Sequence, residues 1–120
     1  MQFVWVGLGG AVGSMIRYAI ALGAGRSWFP WATLSVNVAG SFLIGLLASW
    51  AMGRWPTAVT TALTVGLLGG FTTFSAFAWE GLSLFRSGRA AVALGYLVAS
   101  VVGGLVAAGA GYALGRGLPW

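Results

Sequence analysis

The sequence predicts an all-α membrane protein: four transmembrane helices per subunit, the third broken mid-membrane, in an antiparallel, dual-topology homodimer. Three observations lead there. Of 120 residues, 59% are hydrophobic and only 6% are charged, whereas about a quarter are charged in soluble domains. A span takes about 20 apolar residues, and Gly, Pro and Trp punctuation divides the chain into four such stretches with short connections. The third stretch contains Gly69-Gly70-Phe71-Thr72-Thr73-Phe74-Ser75-Ala76-Phe77, which combines adjacent glycines, three hydroxyls and three phenyl rings.

The whole of 1–120 reads as a single transmembrane domain. The first helix is expected over 2–22 and stops at Gly23-Ala24-Gly25-Arg26. The second, 31–52, follows Pro30, and the third, 57–84, follows Pro56; proline is tolerated at or before a first helical turn because no N–H is needed there. The fourth covers 89–114. Trp28, Trp31, Trp50, Trp55 and Trp120 fall near the proposed ends, where indoles favour the headgroup region. A secretory signal is not expected, because no positive residue precedes the first apolar run and no polar domain follows it.

Adjacent glycines weaken a helix by about 1 kcal/mol each relative to Ala. Irregular backbone at membrane depth survives only where protein or a water-filled cavity covers it. The stretch 69–77 is therefore expected to break the third helix and build a site, the alternative being glycines that only admit a close neighbour.

Composition excludes much chemistry. One Glu, with no Asp, Lys, His or Cys, leaves almost nothing for acid–base, thiolate or metal-thiolate catalysis, so no enzyme is expected. The net charge of +5 comes from six Arg against Glu80, and these are scattered singly at segment ends. That pattern suits anchoring to membrane lipid headgroups and gives no reason to expect nucleic acid or a protein partner other than a second copy.

With both termini on one side, the side with the first and third loops carries Arg17, Arg26, Arg86 and Arg89, and the opposite side Arg54 and Arg116. If Arg17 lies within its helix the bias falls from 4:2 to 3:2. So small a bias sets no orientation under the positive-inside rule and makes an antiparallel homodimer the working expectation. Small residues recur four apart as Gly9/Gly13, Ser41/Gly45/Ser49/Gly53 and Gly103/Ala107/Gly111/Gly115, rows that let helix backbones approach closely.

Polar residues are few and patterned. Thr33, Asn37 and Ser41 share one face of the second helix. Asn37, near mid-span, must have a partner, because an unsatisfied amide there costs several kcal/mol; an interhelical bond and a ligand both answer that need. Tyr96 and Ser100 share a face of the fourth helix. Phe74, Phe77 and Glu80 follow one another at three-residue spacing; the rings either pack or turn their positive edges to a small anion. Glu80 either pairs with an arginine such as Arg17 or serves as a substrate or proton site.

Three motifs, Gly9-Gly10-Ala11-Val12-Gly13-Ser14-Met15-Ile16-Arg17-Tyr18, Thr33-Leu34-Ser35-Val36-Asn37-Val38-Ala39-Gly40-Ser41-Phe42 and Gly66-Leu67-Leu68-Gly69-Gly70-Phe71-Thr72-Thr73-Phe74-Ser75, stand in the order found in the Fluc (CrcB) fluoride channels of bacteria, and the chain resembles that family over essentially its whole length. The resemblance implies a plasma (inner) membrane protein, a dual-topology homodimer with two antiparallel pores, passive fluoride export from the cytoplasm, and a structural Na+ at the dimer centre. By the same resemblance Asn37, Phe74 and Phe77 line the pore together with Thr33 and Ser41, Tyr96 and Ser100 form a polar track, Arg17 and Glu80 are polar groups near the pore ends, and the backbone carbonyls of Gly69 and Thr72 hold Na+. Ala32, Ala76 and Gly104 depart from the family pattern, the last two by lacking a hydroxyl. Two other readings compete: a small dual-topology proton-coupled exporter, disfavoured because Glu80 lies toward one end of its span, and a membrane scaffold that only oligomerises, which leaves Asn37, Thr72 and Thr73 without a role.

Overall fold

The computed structural model describes residues 1–119; Trp120, expected at an interface, lies outside the described residues. Four helical stretches are long and apolar enough to cross a membrane. They comprise α1 (Gln2–Ala24), α2 (Trp31–Trp50), a composite third span (Thr57–Arg86) and α6 (Ala90–Gly117). Proline precedes two of them as foreseen, Pro30 before α2 and Pro56 before the third span.

The third span is assembled from pieces. It opens as α3 (Thr57–Thr61), passes through a π-helical stretch (Ala62–Leu68), tightens again as α4 (Gly69–Phe71), opens at Thr72 and Thr73, and resumes as α5 (Phe74–Arg86). The break expected within 69–77 falls at Thr72 and Thr73, just after the paired glycines. Both glycines are helical, whereas Thr72 (φ −86, ψ 157) and Thr73 (φ −149, ψ 124) are extended, a backbone that β-branched residues favour. Gly70 has the other purpose foreseen for these glycines, since a Cβ there would run into the backbone of Gly10. The π-helical stretch has only a faint sequence signal: the Thr60 and Thr64 hydroxyls bond the carbonyls of Thr57 and Thr60, a competition that loosens the helical ladder.

At the far end α5 stops in a Schellman turn. Gly88 adopts φ +80, and the Arg89 N–H reaches the Leu84 carbonyl at 2.9 Å while the Gly88 N–H reaches that of Phe85 at 3.1 Å. Only a glycine takes that φ without cost.

Close backbone contact through small residues organises the packing. α2 lies along α6 with Gly45 against the Ala108 carbonyl, Gly111 against the Phe42 carbonyl, and Gly115 against Ser49. α1 lies along the first half of the third span, with Gly9 and Gly13 facing the backbone at Ala62 and Leu67, and Gly66 facing Val6. The predicted rows thus pack helices inside one chain; Gly53 is the exception, a turn residue at φ +82 beyond α2.

The result is a thin body of 49 × 31 × 21 Å with a small core around Leu84, Ala93 and Tyr96, flanked by Phe29, Leu34, Phe77 and Val92. Most large apolar side chains face outward, as expected where lipid or a second copy replaces water.

Glycines touching backbone and glycines facing open space should respond oppositely to substitution. Gly111→Val is expected to lower stability in detergent by about 2–3 kcal/mol, as overpacking does. Gly109→Ala, with nothing within 4 Å of the added Cβ, leaves the unfolding midpoint unchanged or raises it; equal losses in both variants would contradict the packing described.

Candidate functional site

The break exposes backbone groups that a continuous helix would hide, and a neighbouring helix answers them. Asn37 lies in the second turn of α2, about 10 Å into the span at helical rise. Its Nδ2 donates to the Thr73 carbonyl at 3.0 Å, and its Oδ1 accepts from the Thr73 N–H at 3.0 Å. One side-chain amide thus closes both backbone groups of one residue. One turn along α2, Gly40 leaves room for the Thr72 methyl, which a Cβ would displace.

Thr73 then starts the next helix, its hydroxyl accepting from the Ala76 N–H at 3.2 Å as an N-cap. Of the two answers available for Asn37, the interhelical bond is observed. An amide carries two N–H donors, so one donor remains for another partner.

The C-terminal end of α4 is held from α1. Arg17 Nε and Ser14 Oγ donate to the Gly70 carbonyl at 3.2 and 3.5 Å. A cation there complements the negative end of the helical run. Arg17 does not pair with Glu80. The Thr72 N–H and hydroxyl both return to the Leu68 carbonyl, whereas among the described residues the carbonyls of Gly69 and Thr72 accept no bond. Gly69 is exposed and Thr72 half-buried, and both residues line the groove described next.

Beside the break lies a groove of about 400 Å³ that brings together Asn37, Ser41, Phe74, Phe77 and Ser100, with Gly69, Thr72 and Thr73 along its edge. Phe74 and Phe77 stand 5.6 Å apart at 56°, and Phe74 is 79% exposed, projecting from the chain. Ser41 spends its hydroxyl on the Asn37 carbonyl at 2.7 Å. Ser100 Oγ is buried and makes no hydrogen bond among the described residues, which leaves a donor and lone pairs unused where their loss is costly.

Thr33, Tyr96 and Glu80 form a separate cluster at one end. Thr33 Oγ1 donates to Glu80 Oε1 at 2.7 Å and the Tyr96 hydroxyl to Oε2 at 3.4 Å. Tyr96 is fully buried, wedged against Phe77 at 5.4 Å and Phe29 at 5.6 Å. Thr33 and Asn37, expected on one face, therefore belong to two adjoining regions, and Tyr96 answers Glu80 without lining the groove. Sequence reasoning missed Ser14 and Thr73 as site residues, although both lie inside the quoted motifs; their signal is a hydroxyl adjoining a glycine or a helix break.

Removing the amide should cost more than removing the cap. Asn37→Ala strands two backbone groups at about 1–3 kcal/mol each, and it is expected to destabilise by about 2–4 kcal/mol and to speed hydrogen exchange at the Thr73 amide. Thr73→Ala costs about 1 kcal/mol. If equilibrium unfolding finds Asn37→Ala no worse than Thr73→Ala, the bridge is not the main support of the break.

Residues 4–112 match the family described as CrcB-like protein, Camphor Resistance (CrcB). The chain is 49% identical over 118 residues to a fluoride-specific ion channel FluC of Paracoccus denitrificans, covering 97% of this chain and 95% of that one. It is 44% identical to the FluC of Agrobacterium fabrum, with 94% of each chain covered, and 44% identical to a FluC of Thermus thermophilus, with 98% of this chain and 95% of that one covered. With a family match across nearly the whole chain and relatives this similar end to end, the four-span protein built around the Asn37-bridged break belongs to the CrcB-like family.

Proposed function

We propose that this protein is a passive fluoride channel of a bacterial inner membrane, lowering cytoplasmic fluoride by conduction down its gradient. The observation that carries this reading is the buried, unpartnered Ser100 hydroxyl in a groove shared with Asn37, Phe74 and Phe77, in a chain whose relatives are named for fluoride-specific conduction. Fluoride is small and holds its water tightly, so a narrow path must replace that water with donors. The second N–H of Asn37 and the Ser100 hydroxyl supply donors, and the phenyl edges of Phe74 and Phe77 supply positive quadrupole surface. No bond is made or broken in this process, and the scarcity of titratable groups fits a channel better than an enzyme.

Two copies are proposed to assemble antiparallel, giving two pores. A groove whose wall includes a phenyl ring as exposed as Phe74 is open on one flank, and a second copy would close it. The carbonyls of Gly69 and Thr72, without hydrogen bonds among the described residues, fit a hard cation such as Na+, which takes oxygen ligands. Two oxygens from one chain are too few, and a second copy would double them. When bound, Na+ supplies positive charge that neutralises these carbonyl dipoles beside the path of an anion.

A fluoride electrode reading efflux from liposomes that contain the purified protein tests the proposal. Fast efflux, no comparable chloride efflux and no dependence on an imposed pH gradient are expected. Phe77→Ile should slow efflux roughly tenfold or more, equivalent to about 1.4 kcal/mol of barrier, with the assembly intact by size-exclusion chromatography. Absence of fluoride flux from folded wild-type protein would refute the channel, and obligatory coupling to protons would move the assignment to an exporter that uses Glu80.

A further inference from the structure

We propose that a second cavity, between the α1–α2 loop and the α5–α6 turn, is a vestibule that collects small anions, and that Arg89 is the residue that makes it attractive to them. This rests on the channel reading above and adds a residue to it. The cavity has a volume of about 550 Å³, and its walls include Trp28, Trp31, Thr33, Glu80, Ser87 and Arg89. Thr33 and Glu80 connect it inward: their hydrogen bond of 2.7 Å joins the network of Tyr96, whose ring lies on Phe77 at the edge of the groove. The vestibule therefore adjoins one end of the polar path.

Its charge balance is the point. Glu80, the one acidic residue of the chain, sits in this wall, and a carboxylate repels anions. Of the six arginines, only Arg89 also lines the cavity; Arg26 and Arg86 are near in sequence and do not. With Arg89 the wall carries one charge of each sign, and without it the carboxylate acts alone.

The guanidinium is also presented for binding. Its centre lies over the Trp28 ring, 4.8 Å from the centroid, a cation–π arrangement that holds the group in place. The five N–H donors of a guanidinium lie in its plane and point outward from its edge. Among the described residues none of these is used in a hydrogen bond or an ion pair, so they remain for an anion while Trp28 keeps the group in place. The Schellman turn at Gly88 fixes where the Arg89 backbone begins α6.

Currents through the protein in planar bilayers test this with a readout that a purely structural role would not move. At about 10 mM fluoride, where the screening length is about 30 Å, Arg89→Gln is expected to carry roughly three- to tenfold less current than wild type. With about 1 M potassium isethionate added, screening falls to about 3 Å and the two should agree within about twofold. Arg89→Lys, which keeps the charge, should behave like wild type in both solutions. If Arg89→Gln matches conducting wild type at low ionic strength, if its defect persists unchanged at high ionic strength, or if Arg89→Lys fails to restore current, the vestibule is refuted while the channel stands. If wild type itself carries no fluoride current, the channel reading fails first.

Discussion

The interaction on which the rest depends is the pair of hydrogen bonds between the Asn37 side chain and the Thr73 backbone, 3.0 Å each. Extended backbone at membrane depth has no water to satisfy it, and each stranded N–H or C=O would cost several kcal/mol. The Asn side-chain amide offers a donor and an acceptor side by side, matching the two groups of one peptide residue. With that match made, Thr73 can cap α5 and Thr72 can lie extended, and the third span gives up its helix for two residues without leaving Thr73 unsatisfied.

Everything near the break depends on that pairing being held in position. Gly40 admits Thr72 against α2, Gly70 admits α1, and Arg17 with Ser14 takes the Gly70 carbonyl. The Gly45, Gly111 and Gly115 contacts align α2 with α6, and Asn37 and Ser100 from these two helices line the same groove. Packing and site are thus the same set of contacts. A chain this thin, 21 Å in its smallest dimension, has little interior to spare, so residues that support the site are also residues that hold the fold.

Much of this was legible in the sequence because membranes make strong demands. Four spans follow from apolar length and from where Pro30, Pro56 and the tryptophans fall, and close packing follows from small residues four apart. The position of the break was legible only approximately. Paired glycine weakens a helix, yet Gly69 and Gly70 are helical, Gly70 lies against the Gly10 backbone, and the extended residues are the threonines beyond. Charge alone suggests Arg17 as the partner of Glu80, but Arg17 is held at the Gly70 carbonyl and hydroxyls from Thr33 and Tyr96 meet the carboxylate. Such choices depend on which helices adjoin, a long-range fact that periodicity does not carry. The π-helical stretch is similar, since its local signal is no more than a run of threonines.

Ser100, with its orphan hydroxyl, lines one groove together with Asn37, Phe74, Phe77, Gly69 and Thr72. A path that selects by replacing hydration needs no titration and no moving carrier, which separates it physically from an exporter driven through Glu80. The reversal potential of the current across a planar bilayer with unequal fluoride is the most direct test of that distinction. A passive fluoride-selective path gives a potential that follows the fluoride gradient at about 59 mV per tenfold and does not move when a pH or chloride gradient is imposed; a potential that shifts with pH, or that follows chloride, would contradict it.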